Sequence, residues 1–186
     1  GIIYTASDVH TNSTFIGYAK RLEELGVDSI CIMDKGELLT PYSTYSLIAS
    51  LKQEVGAPIQ LSALNNTGKG YFNAIKAIEA GIELVDTTLA PFAQGVAFPA
   101  TETMISSFID SPYDTALDIK EISPAHEYFA RLKNKYIKSE FIKVDKMMPD
   151  KDSALLKMPY EVVKYMYYTL TDEQKLRLED ITKEIG

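Results

Sequence analysis

Two patterns of apolar and polar residues alternate along the first half of the chain. Short, mostly apolar runs, which are typical of buried strands, occupy 2–6, 29–33, 58–64 and 84–90. Apolar residues at the three- and four-residue spacing of an amphipathic helix occupy 13–25, 41–55 and 71–80. The pattern therefore predicts strands and helices in alternation, with the last strand ending before Pro91.

Capping residues support these helix boundaries. Thr40 before Pro41 is the signature of an N-cap followed by a first-turn proline. A glycine follows each of the three predicted helices, at Gly26, Gly56 and Gly81.

Four βα units with strands apolar on both faces are typical of a parallel sheet covered by helices. A flavodoxin-like sheet is one arrangement, but no glycine-rich phosphate turn follows the first strand. The regular spacing also suits a (β/α) barrel, in which four units make half of the eight. We predict an α/β fold: half of a (β/α)₈ TIM-type barrel with four parallel strands.

The pattern changes after Gly95, where no further strand is predicted. The spacing there predicts helices over 99–109, 123–136, 153–168 and 171–185. Ser123-Pro124 supplies one helix start, and Thr171 with Gln174 supplies a capping box for another. We therefore predict two regions: four βα units in 1–97 and an all-α region in 98–186.

Composition narrows the classes of partner. The 186 residues carry a formal net charge of −7, which argues against nucleic-acid binding. No apolar run is long enough to span a membrane, and no secretory signal opens the chain. The single Cys31 cannot form an internal disulfide, so we expect a cytoplasmic or other reducing compartment and a buried thiol. Because the first residue is glycine, we expect an N-terminal part to be missing.

Titratable residues offer few candidates for chemistry. His10 and His126 are the two histidines of the chain, which excludes a histidine-rich metal site. Asp34 and Asp86 lie near strand ends and could act as a general-base pair, although a hydrogen-bonded structural carboxylate is the commoner outcome for Asp86. We expect His126 to be a surface residue.

Several stretches together resemble one family. "SICIMDKGELLTPYSTYSLIASLKQEVGAPIQL", "AIEAGIELVDTTLAPFAQG" and "PATETMISSFIDSPYDTALDI" resemble the carboxyltransferases of biotin-dependent enzymes. That family includes the oxaloacetate decarboxylase alpha subunit, the transcarboxylase carboxyltransferase subunit and the pyruvate carboxylase central domain. The resemblance covers about residues 1–145. It implies strands five to eight of a (β/α)₈ barrel, followed by the start of a helical funnel.

The resemblance also locates a family metal site at the mouth of the barrel. Its ligands are an aspartate on the first strand, a carbamylated lysine on the sixth and two histidines on the seventh. By resemblance, Met33 stands at the lysine position, and Ser62 and Leu64 stand at the histidine positions. A catalytic threonine of the family corresponds to Val96. Of the other residues at this mouth, His10, Asp34 and Lys35 are candidates for residual ligand contacts.

These replacements favour loss of the family's chemistry. A thioether or an isobutyl group does not bind a hard divalent cation, and valine has no proton to transfer. We therefore expect neither the divalent metal nor the biotin that the family uses, and interpret the chain as a non-catalytic interaction or assembly module, or an engineered derivative.

Two alternatives remain open. One is an active decarboxylase or carboxyltransferase, acting on oxaloacetate or pyruvate, whose site is completed by a missing N-terminal half or another chain. The other is a small-molecule sensor that uses the vestigial mouth. A half-barrel leaves two sheet edges and one face uncovered, so we expect a homo-oligomer or a complementary barrel half. The tyrosines and methionines of 158–168 predict a protein partner for the C-terminal helices.

Overall fold

A computed structural model describes residues 1–93 and 97–138, together with Thr171, Glu173, Gln174 and Arg177. The strands are β1 (Ile2–Ile3), β2 (Ile30–Asp34), β3 (Ile59–Ala63) and β4 (Leu84–Val85). The helices are α1 (Asn12–Glu24), α2 (Pro41–Glu54), α3 (Lys69–Glu79), a 3₁₀ turn (Ala90–Phe92), α4 (Thr101–Ser107) and α5 (Ile119–Lys138). Among these described residues, no helix combines the length and apolar character needed to cross a membrane.

The described strands form one parallel sheet in the order β1-β2-β3-β4. A helix follows each of the first three strands, as in βα units. This arrangement confirms the predicted α/β fold with four parallel strands. The edge strands β1 and β4 are shorter than predicted, with two residues each.

One face of the sheet packs against the helices. Ile30, Ile32, Ile59 and Leu61 are fully buried in a core with the apolar faces of α1 and α2. Alternation along the strands sends the intervening side chains to the opposite face. We call this the open face; it consists of Ile3, Cys31, Met33, Gln60, Ser62 and Leu84.

The open face is only partly buried within the described residues. Ile3 is 59% exposed and Leu84 is 47% exposed, and Cys31 is half-buried rather than fully buried. The prediction of a buried Cys31 thiol is therefore wrong, whereas the exposed Ile3 and Leu84 agree with the expectation that a half-barrel leaves one face uncovered. The apolar character of these positions is a property of the sequence, but their burial depends on an element that covers this face.

The predicted helix boundaries are confirmed for α1 and α2. The Thr40 hydroxyl accepts the Ser43 backbone N–H at 3.1 Å, and the Ser43 hydroxyl accepts the Thr40 N–H at 2.8 Å. Gly26 and Gly81 adopt positive φ of 77° and 90° just after α1 and α3, a conformation that glycine tolerates.

Helix α5 begins at Ile119 rather than at residue 123. Asp118 caps it, because its Oδ1 accepts the Lys120 backbone N–H at 2.9 Å. Ser123 lies inside the helix, where its hydroxyl donates to the Ile119 carbonyl at 3.1 Å, and Pro124 is accommodated one turn from the start. The prediction of a start at Ser123-Pro124 was wrong because Asp118 supplies an earlier cap.

The predicted capping box near the C-terminus is confirmed. The Thr171 hydroxyl accepts the Gln174 N–H at 3.3 Å, and the Gln174 side-chain oxygen accepts the Thr171 N–H at 2.9 Å. Val96 and the tyrosine- and methionine-rich stretch 158–168 lie outside the described residues.

Candidate functional site

The carboxyl ends of β2 and β3 place Met33 and Ser62 side by side on the open face. Ser62 is 8% exposed and Met33 is half-buried. Leu64 follows two residues after Ser62, where its backbone N–H donates to the Asp34 carbonyl at 3.3 Å. The structure therefore groups three of the four positions that the resemblance singled out, and the fourth, Val96, lies outside the described residues.

The donor chemistry of this group does not fit a divalent metal. A thioether, a hydroxyl and an isobutyl side chain offer neither the imidazoles nor the carboxylates that bind a hard cation. Across residues 1–93 and 97–138, no three His, Cys, Asp or Glu side chains are placed to hold a metal ion together. No step of a metal-dependent reaction can be derived from these residues.

Asp34 is fully buried at the end of β2. Its two carboxylate oxygens accept the backbone N–H groups of Leu38 and Leu39, each at 2.9 Å. Burial raises the pKa of Asp34, the two backbone hydrogen bonds and the Lys69 charge lower it, and burial prevails. The carboxylate thus closes the loop between β2 and α2, which is a structural role.

Glu37 is a buried acidic residue that the sequence did not single out. It is 2% exposed, and its carboxylate accepts the backbone N–H groups of Asn66 and Thr67, the latter at 2.8 Å. Its backbone carbonyl accepts the Lys69 ammonium. A charged residue shortly after a strand is ordinarily solvated, so the polarity pattern carried no signal for this residue.

Three asparagines add unpaired polar atoms around the same loops. Asn73 is 1% exposed and donates to the Leu39 carbonyl at 3.2 Å, while its Oδ1 has no partner within the described residues. The side-chain oxygens of Asn65 and Asn66, and the Asn66 nitrogen, are also buried and unpaired there. The mouth of the half-barrel therefore has a polar interior between its loops.

The open face has a polar centre of its own. Gln60 donates to Asp86 Oδ1 at 2.6 Å. The pKa of the Cys31 thiol is raised, mainly by burial and further by the negative charge of Asp86. The structure does not bring Asp34 and Asp86 together, because Asp34 lies in register with Ala63 and Asp86 contacts Gln60 on the opposite face. A general-base pair is excluded.

The two other mouth candidates lie in loops. His10 follows β1, where its Nδ1 lies 2.7 Å from the Ser7 hydroxyl and its ring centroid 6.3 Å from that of Phe15. Lys35 is exposed in the turn after β2. Their predicted contact with a ligand stays a prediction.

His126 is not the simple surface residue that the sequence suggested. Its Nδ1 lies 2.7 Å from Glu102 Oε1, while Glu102 Oε2 accepts the Ala90 N–H at 2.8 Å. Phe129 packs edge-on against Phe92, with ring centroids 5.9 Å apart. These contacts fasten α5 to α4 and to the 3₁₀ turn, and only tertiary structure could reveal them.

Comparison with known proteins matches one family. The sequence model described as HMGL-like matches residues 6–128. A pyruvate carboxylase subunit of Methanocaldococcus jannaschii is 42% identical over 135 residues, which are 73% of this chain and 24% of that protein. The corresponding pyruvate carboxylase subunit of Methanothermobacter thermautotrophicus is 29% identical over 185 residues, which are 99% of this chain and 32% of that protein.

A solved structure shares the fold. The carboxyl transferase domain of Rhizobium etli pyruvate carboxylase with pyruvate and biocytin superimposes with a TM-score of 0.79 at 22% identity. The alignment covers 90% of this chain and 29% of that one. The four parallel strands and their helices therefore match part of a TIM-barrel domain, and the chain spans about a quarter to a third of the length of these relatives.

Proposed function

Since the chain belongs to the HMGL-like family and is related to pyruvate carboxylase subunits, we propose that it is a metal-free, non-catalytic form of the carboxyltransferase half-barrel. It acts as an interaction or assembly module in a cytoplasmic or other reducing compartment. In this proposal residues 1–97 form the half-barrel and residues 98–186 form the helical region.

The observation that carries the proposal is the Met33–Ser62 pair. The two residues are adjacent by strand register on the face where a closed barrel has its interior. By resemblance these are a lysine and a histidine position of the family's metal site, and Leu64 is the second histidine position. The replacements remove the ligands while the surrounding loops keep their buried hydrogen bonds.

Energetics favour the replacements in a module that holds no metal. A lysine at the half-buried position of Met33 would have no metal or anionic partner beside Ser62, whereas methionine brings no unpaired charge to this position. Met33 therefore suits a packing surface better than the family's ligand would.

The open face and the β1 edge offer the surfaces for a partner. Ile3 and Leu84 place large apolar side chains at opposite edges of the face. A pocket of about 340 Å³ that is open to solvent lies where β1 meets α1, lined by Gly1, Ile2, Tyr18, Arg21, Leu22 and Leu25. A parallel sheet edge that no described strand pairs, beside an apolar pocket, suits a further βα unit from a second copy or a complementary barrel half.

Two measurements test the proposal. Metal analysis of the purified chain is expected to find substoichiometric zinc, manganese and cobalt, and one metal ion per chain would overturn the metal-free assignment. Light scattering after size exclusion is expected to report a mass above that of one chain, and a strict monomer with no binding partner would overturn the assembly role.

A second candidate follows from the share of the relatives that the chain covers. The chain spans 24% and 32% of the two pyruvate carboxylase subunits, so an active site could be completed by a further half-barrel. The chain would then serve a carboxyltransferase or decarboxylase acting on oxaloacetate or pyruvate. Binding of Co²⁺ only in a complex with a complementary half would favour this candidate, and its absence from such a complex would exclude it.

A further inference from the structure

Glu37 joins the two loops that form the mouth of the half-barrel. It belongs to the loop after β2, and its carboxylate accepts the consecutive backbone N–H groups of Asn66 and Thr67 in the loop after β3. The Lys69 ammonium crosses back to the Glu37 carbonyl. The side chain of Glu37 is therefore bonded to the loop after β3, and its backbone carbonyl is bonded to the first residue of α3.

The backbone of Glu37 has a conformation that L-residues avoid. Its φ is 53°, in the left-handed region where a side chain is disfavoured. Within the described residues, Asp110 and Ala116 are the other non-glycine residues in this region, at 59° and 55°, and both are exposed. Glu37 differs from them because its side chain is buried and accepts two backbone hydrogen bonds.

The charges nearby oppose a carboxylate at this position as well as support it. The Glu37 charge raises the pKa of the neighbouring Asp34, whereas the Lys69 charge lowers it. Two backbone amide donors thus hold the Glu37 carboxylate close to a second acidic group, while the Lys69 ammonium bonds the Glu37 backbone carbonyl. A buried acid in a disfavoured conformation persists only where the surrounding structure specifies it.

We propose that Glu37 is a positioning residue: an internal carboxylate that clasps the loop after β2 to the loop after β3 and fixes the mouth of the half-barrel in one arrangement. The clasp holds residues 64–68, which begin at Leu64 and lead into α3. It therefore sets the position of the backbone that follows Ser62 and Leu64. This inference does not depend on whether the chain binds a metal.

The variant Glu37→Gly tests whether the Glu37 carboxylate holds the two loops together or lies between them without stabilising them. Glycine removes the carboxylate and also relieves the positive-φ strain, so the two interpretations predict opposite signs. A clasp predicts a lower melting temperature, by about 3 °C or more, and exchange of the Asn66 and Thr67 amide hydrogens at least about tenfold faster. The matched control Ala116→Gly, which only relieves strain, is expected to leave the melting temperature unchanged or raise it.

A second variant keeps the test independent of overall stability. Glu37→Gln retains the shape and one acceptor oxygen, so exchange at Asn66 and Thr67 is expected between that of the native chain and that of Glu37→Gly. The Ile32 and Leu61 amides, which lie in the sheet, serve as internal controls. A rise in melting temperature with Glu37→Gly, or unchanged exchange at Asn66 and Thr67 in that variant, would overturn the proposal.

Discussion

Gly70 lies directly against Asn65, closer than any side chain at this position would allow. A Cβ on Gly70 would lie 2.7 Å from Asn65 Cβ and 2.8 Å from the Leu64 carbonyl oxygen. The contact joins the first turn of α3 to the loop that leaves β3. The absence of a side chain at Gly70 is therefore a packing requirement of the mouth.

Gly70→Ala is expected to destabilise the chain by roughly 1–3 kcal/mol, because the Leu64 backbone cannot move aside without disturbing β3. Gly17→Ala is the matched control. Gly17 also lies within a helix, α1, but nothing lies within 4 Å of its Cβ position. There alanine is expected to stabilise by about 0.5–1 kcal/mol. Urea unfolding measures both, and equal effects of the two variants would contradict the close contact.

The buried carboxylate of Asp34 predicts a stability that falls as pH rises. Burial raises its pKa above the ordinary 3.8, so the folded chain binds the proton more tightly than the unfolded chain. The stabilisation is present below 3.8 and is lost as pH rises through the folded pKa. Relative to Asp34→Asn, the stability of the native chain should therefore decrease as pH rises above 3.8.

Urea unfolding at several pH values measures this difference, with Asp28→Asn as the control because Asp28 is exposed. A difference between the native chain and Asp34→Asn that grows with pH would contradict the raised pKa.

Glu102 predicts the opposite dependence. Burial alone would raise its pKa, but the hydrogen bond with His126 and two backbone N–H groups lower it below 4.5. Its stabilisation is present above 4.5 and is lost as pH falls through the lower folded pKa. Relative to Glu102→Gln, the native chain should therefore lose stability in acid.

A double-mutant cycle of Glu102→Gln with His126→Gln should give a coupling of roughly 0.2–1 kcal/mol, since the pair is partly exposed. Glu127→Gln is the control substitution, because Glu127 is exposed and its Oε2 lies 3.9 Å from Arg131 Nη1. Zero coupling between Glu102 and His126 would show that their contact does not fasten α5.

Ile3→Glu tests the open face as a docking surface. A charge on a 59% exposed side chain should leave the fold of one chain intact but prevent a partner from packing on β1. The mass by light scattering is expected to fall to that of one chain. Phe72→Glu is the matched control, since Phe72 is 61% exposed on α3, in the layer on the opposite side of the sheet. The same assembly mass for Ile3→Glu and the native chain would argue against this surface.

Local pattern was enough to predict most of the fold. Strands β2 and β3, the caps at Thr40 and Thr171, and the glycine stops all depend on residues that are near one another in sequence. The edge strands are shorter because β1 and β4 each have one pairing neighbour within the described residues. Pairing, unlike apolar character, depends on what lies beside a strand.

The mouth was predicted only in part. The positions of Met33, Ser62 and Leu64 followed from resemblance, and register places the first two together. Glu37 and the Glu102–His126 contact were missed, because these contacts join residues that are 24 to 30 positions apart in the chain. Charge patterning cannot distinguish such a residue from a solvated one.

The strand order determines where further βα units can join the sheet. Within the described part of the chain, each strand pairs only with strands that are its neighbours in sequence, so no pairing skips over a unit. A βα unit added to either edge would leave the existing ladders and the helix-side core as they are. The sheet can therefore be lengthened by whole βα units at either edge.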